Sequence, residues 1–146
     1  MTVAQWIRGL PVGVCQAIKG AFDYPSSVAL TATGASLATG LALPRDFNVF
    51  TTVAASTGCV LPAAVDQVVQ TYTDANGTTR TITGVVEIGD TISVVNRGAN
   101  SLSVYPFVST GTIQGGGAGA AFAVGTNKVA DFRYVGGGNW VASLSA

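Results

Sequence analysis

Between Gly89 and Phe107 the chain reads GDTISVVNRGANSLSVYPF, and this stretch restricts the available folds more than any other. Apolar residues alternate with Ser and Thr on both sides of a short turn, NRGAN. A period of two suits a half-buried strand, and two such runs around turn residues read as a β-hairpin. VADFRYV and NWVASLSA repeat the pattern, with the glycine run Gly136, Gly137 and Gly138 as a hairpin turn between them. The C-terminal half therefore reads as an antiparallel β module.

Upstream, SVALTAT, DFNVFTTVA, GCVLPA, QVVQTYT and TTRTITGVVEI carry strand signals, and AFAV lies between the later runs. Roughly eight to ten short strands with turn residues between them suit an all-β architecture. The predicted fold is mainly β: an antiparallel β-sandwich or jelly-roll-like domain over residues 25–146. Asp74-Ala75-Asn76-Gly77 resembles a fragment of a calcium loop. Alternating QTYT and TTRT flank it, however, and Asn-Gly favours a tight hairpin turn. The glycines around Gly115, Gly116 and Gly117 lead into a strand rather than a helix, so they do not form a phosphate loop.

Residues 1–24 have a different period. Val3, Trp6, Ile7 and Leu10 follow helical spacing, and Val14, Ala17, Ile18 and Phe22 continue it. Thr2 and Gln5 have capping-box spacing, and Pro11 divides the pattern. This predicts a short amphipathic helix or arm ahead of the β domain. It has no basic start, and Arg8, Gly9 and Pro11 interrupt its apolar run, so it does not read as a signal peptide. No apolar run is long enough for a membrane-spanning helix. The expectation is a chain made and used in a cytoplasm.

Seven Lys and Arg balance seven Asp and Glu, and charged residues make up 10% of the chain. The usual share is about 25%. Such neutrality, without a basic cluster, argues against nucleic acid and anionic membranes as partners. Together with an apolar share of 48%, it suggests a surface partly covered by other copies or by a partner. Cys15 and Cys59 are read as small buried apolar side chains.

The chain has no histidine, which removes the commonest general base and its triads. The carboxylates are Asp23, Asp46, Asp66, Asp74, Glu87, Asp90 and Asp131, and no pair is marked by its context as catalytic. Asp131 and Arg133 share one face of a strand. Tyr105, Phe107, Phe132, Tyr134 and Trp140 are read as a ring-rich core rather than a sugar-stacking platform. The chain reads as non-enzymatic, with no cofactor and no metal.

The order GDTISVVNRGANSLSVYP, a Gly-rich turn, then FAVGTNKVADFRYVGGGNWVASLSA resembles a β domain of virion proteins of tailed bacteriophages. Small head-decoration (cement) proteins are the nearest type. The resemblance covers about Ser27 to Ala146 and includes SVALTATGASLATGLAL and VLPAA. Such domains pass quickly from LPAA to GD, whereas here residues 65–88 intervene and read as an inserted hairpin. The resemblance implies a structural virion protein on the outer surface of the capsid, assembled in the bacterial host cytoplasm. It also implies a homotrimer whose partner is the major capsid protein. The alternative is a tail or head fibre module binding host-surface glycans. In the decoration reading, Trp6, Ile7, Leu10 and Val14 form the capsid-binding ridge, each contributing about 1.5–3 kcal/mol on burial. Trp6→Ser with Leu10→Ser is expected to abolish head binding in a pelleting assay and leave the assembled protein folded; unchanged binding would reduce the arm to a local cap.

Overall fold

A computed structural model describes residues 27–43, 46–64, 66, 68–73, 76–83 and 86–146. The arm of residues 1–24, with Trp6, Ile7, Leu10, Val14 and Cys15, lies outside them. The described chain is mainly β. Its strands are β1 (Ser27–Thr31), β2 (Leu41–Ala42), β3 (Phe47–Thr52), β4 (Gly58–Val60), β5 (Val68–Thr73), β6 (Thr79–Thr83), β7 (Thr91–Asn96), β8 (Leu102–Tyr105), β9 (Phe122–Val124), β10 (Lys128–Gly136) and β11 (Asn139–Leu144). All the predicted strands form; β2, hidden in SLATGLAL, is an addition.

The pairing departs from the expectation of an antiparallel module. One sheet has the order β1-β3-β7-β10-β11 and another the order β2-β4-β8-β9. Within them β1, β3 and β7 run parallel, as do β2, β4 and β8. Only β7-β10-β11 and β8-β9 pair antiparallel. Both sheets are therefore mixed, which departs from a jelly roll.

The reason is that NRGAN does not close a hairpin. β7 and β8 join different sheets, as do β1 and β2, and β3 and β4. β1, β3 and β7 of the first sheet each lead through a connection into a strand of the second, and these three arches lie side by side in parallel. Ser27 faces Asn48, a step of 21 residues, whereas Phe47 faces Ser93, a step of 46. Residues 65–88 account for nearly all of the difference. Within them β5 and β6 pair antiparallel with each other, and Val86 N–H donates to the Ala63 carbonyl where the excursion closes (3.3 Å).

A chain that leaves one sheet for another must satisfy its buried backbone groups at the turn. Asn96, fully buried, does so: its amide donates to the carbonyls of Asn100 and Val124, both at 2.8 Å, and its oxygen accepts from Gly98 N–H at 2.9 Å. The turn is also bonded to the arch beneath it, through Arg97 N–H to the Phe50 carbonyl and Asn100 Nδ2 to the Val53 carbonyl, each 2.8 Å. Arches approach so closely here that a Cβ on Gly98 would lie 2.6 Å from Val53 Cβ.

Both sheets contribute to one hydrophobic core. Phe50, Ile92, Val94, Phe132, Tyr134 and Trp140 enter it from the first sheet, and Cys59, Leu102, Val104 and Val124 from the second. Phe122 meets Phe132 edge-to-face at 5.6 Å, joining β9 to β10. Burial pushes the Cys59 thiol far up, so it stays protonated and serves as a small apolar side chain. Tyr105 departs from the expected core: Val104 takes the inward position beside it, and the Tyr105 hydroxyl bonds the Ala35 carbonyl at 2.9 Å.

Asn96→Ala strands one donor and two acceptors in the interior. The expected loss of stability is about 2–4 kcal/mol in urea unfolding, from desolvated groups left without partners; a loss within experimental error would show that the turn holds without its staple.

Candidate interaction surface

Strand alternation decides which side chains face outward. In β10, Ala130, Phe132 and Tyr134 are fully buried, so Val129, Asp131, Arg133 and Val135 point away from the core. Register then places neighbours beside them. Phe47, Ser93, Asp131 and Ser143 form one row across β3, β7, β10 and β11. Thr91, Arg133 and Val141 form the next, and Val49, Val95 and Val129 flank the first row on its other side.

The result is a weakly charged outer face with exposed apolar side chains. Phe47, Val135 and Val141 are 45%, 47% and 48% exposed. Thr91, Asp131, Arg133, Val141 and Ser143 line an open depression of about 340 Å³. Ser93 Oγ donates to one oxygen of Asp131 at 2.6 Å, which fixes the carboxylate on the sheet. The other Asp131 oxygen and the Arg133 guanidinium have no hydrogen-bond or ionic partner among the described residues. Asp131 and Arg133 share one face, as their spacing predicts.

The β11 edge of this sheet is partly closed. Gln114 N–H donates to the Trp140 carbonyl and Trp140 N–H to the Thr112 carbonyl, while Ala142 N–H donates to Gln114 Oε1 (2.8 Å). A covered edge cannot recruit another strand at those positions. The outer face beside this edge carries no such cover from residues 112–114.

Of the other carboxylates, that of Asp90 accepts from Glu87 N–H at 2.9 Å, and Asp46 is tied to β7 by its backbone carbonyl, which accepts from Ser93 N–H. Among the described residues no three His, Cys, Asp or Glu side chains gather as a metal-binding group. Trp6, Ile7, Leu10 and Val14 lie outside the described residues, so the sequence-derived ridge and this face rest on different parts of the chain.

Sequence reasoning missed a polar clasp at the foot of the excursion. Tyr134 donates its hydroxyl proton to Asp66 Oδ1, Gly137 N–H donates to Asp66 Oδ2 at 2.8 Å, and Gly138 N–H donates to the Tyr134 hydroxyl at 3.0 Å. The bond from Tyr134, and then that from Gly137, hold the Asp66 carboxyl below its ordinary value of 3.8. Desolvation first, then the Asp66 carboxylate, pushes the Tyr134 phenol above its ordinary 10.0. Sixty-eight residues separate the partners, and no local pattern marks them.

Comparison of the chain with protein families, with curated proteins and with solved structures finds no match.

The clasp makes stability depend on pH at both ends. Asp66's contribution is complete above its ordinary value of 3.8 and lost as pH falls through its lowered pKa. That of Tyr134 is complete below 10.0 and lost as pH rises through its raised pKa. Tyr134→Phe is expected to return the Asp66 carboxyl toward its ordinary value, read by carboxyl carbon NMR titration; an unmoved titration would remove Tyr134 as the cause.

Proposed function

We propose that this chain is a structural virion protein that binds the assembled capsid of a tailed bacteriophage and stabilises it as a head-decoration (cement) protein. In this reading the β body is a sandwich of two face-packed sheets, residues 1–24 are an arm, and the β5-β6 excursion is an inserted projection. The observation that carries the reading is the outer face of the five-stranded sheet. It is broad, carries exposed Phe47, Val135 and Val141, and has two charges near its middle. Such a face suits repeated packing against protein better than isolation in water.

Binding to the assembled lattice stabilises the shell by mass action, because ligand held by the closed form opposes its opening. The arm gives the protein a second grip: Trp6, Ile7, Leu10 and Val14 dock on the major capsid protein. Three copies around one local axis multiply a modest contact into strong retention.

Immunogold electron microscopy of virions carrying this chain tests the assignment. Gold distributed over the head is the expected result. Gold confined to the tail or its tip would overturn it in favour of a fibre module.

A further inference from the structure

The outward residues of β10 read Val129, Asp131, Arg133 and Val135: apolar, acid, base, apolar. Reversed, the row complements itself. Valine then faces valine and acid faces base. From this order we infer that the outer face of the five-stranded sheet is a self-association surface, occupied by the same face of a second copy.

A two-fold axis lying between the faces, crossing β10 at the level of Phe132, generates the contact. It lays β10 antiparallel over the partner copy's β10, with Asp131 of each copy against Arg133 of the other. Val129 and Val135 close over the two ion pairs from both ends. Outward positions on one strand repeat every second residue, about 6.6 Å apart, so both pairs form together.

The individual side chains are suited to this. Arg133 has no ionic partner among the described residues, and Ser93 fixes Asp131 through one oxygen while leaving the other to accept from outside. The exposed Val135 and Val141, 47% and 48% accessible, lose water on contact. Four strands of about six residues offer a face roughly 20 Å by 20 Å, near 400 Å² per copy. An area of that size belongs to weak, transient interfaces. Self-association therefore strengthens where copies are crowded and stays weak in dilute solution. The inference goes beyond the decoration reading, because it needs only this chain.

Analytical ultracentrifugation of the full chain at concentrations up to about 1 mM, the Kd of a weak complex, tests it. The expected result is a concentration-dependent doubling of mass: monomer to dimer, or trimer to hexamer if another surface forms a trimer. Arg133→Asp sets acid against acid twice and should weaken the doubling by about tenfold or more. Asp131→Arg with Arg133→Asp restores opposite charges across the axis and should recover it, which separates pairing from any general effect on folding. No doubling in the unaltered chain would overturn the inference, as would its persistence in Arg133→Asp or a failure of the double swap to recover it. Sedimentation reads self-association and immunogold reads location, so failure of one leaves the other standing.

Discussion

The structure depends on satisfying backbone polar groups where the chain crosses between sheets. A strand inside a sheet has its partners supplied by the ladder, but a crossing turn does not. At Asn96 one side-chain amide serves as donor twice and acceptor once, replacing the missing ladder. Because Val124 on β9 is among its partners, the same residue connects the third arch to the antiparallel strands that follow. Gly98 then permits the close seating of this turn on Val53. Parallel pairing of β3 with β7 and of β4 with β8 rests on that seating.

Once the arches are stacked, the division of labour among side chains is set. Large apolar and aromatic residues from both sheets meet in one core, with Tyr134 against Trp140 at 5.0 Å and Phe122 against Phe132. Alternation commits every other residue of β7, β10 and β11 to the opposite side. That side carries little charge, so its chemistry comes from rows of Thr, Ser and Val around one carboxylate and one guanidinium. The excursion at 65–88 leaves this arrangement intact because its feet are tied to the body: Val86 to Ala63 by the backbone, and Asp66 to Tyr134 on β10 and to Gly137 in the β10-β11 turn, with Gly138 N–H donating to the Tyr134 hydroxyl. Tyr134 thus serves in two roles, as a core ring and as the donor that fixes Asp66.

Two misreadings show where the sequence signal stops. Alternation in TISVVN and LSVY marks both as half-buried strands, and both are. A hairpin and an arch nevertheless bury the same alternate residues, one pair side by side and the other across a core, so NRGAN alone does not distinguish them. The clue was parity: Ile92, Val94 and Asn96 point the same way, which places an amide at an inward position. Tyr105 was misassigned for a related reason, since Val104 and Tyr105 are both apolar enough for the core and only the sheet's orientation chose between them. Asp66 had no clue at all, because its partners are distant in the chain.

The sequence by itself determined where every strand but β2 lies and which residues share a strand face, including Val129, Asp131, Arg133 and Val135. These follow from local physics: backbone sterics, a period of two, and the preference of apolar side chains to leave water. Only the tertiary structure decided which strands pair, that three arches run parallel, that Asn96 staples a crossing, and that Asp66 closes on Tyr134. Those outcomes depend on contacts between residues far apart in sequence, whose geometry does not exist until the sheets have met.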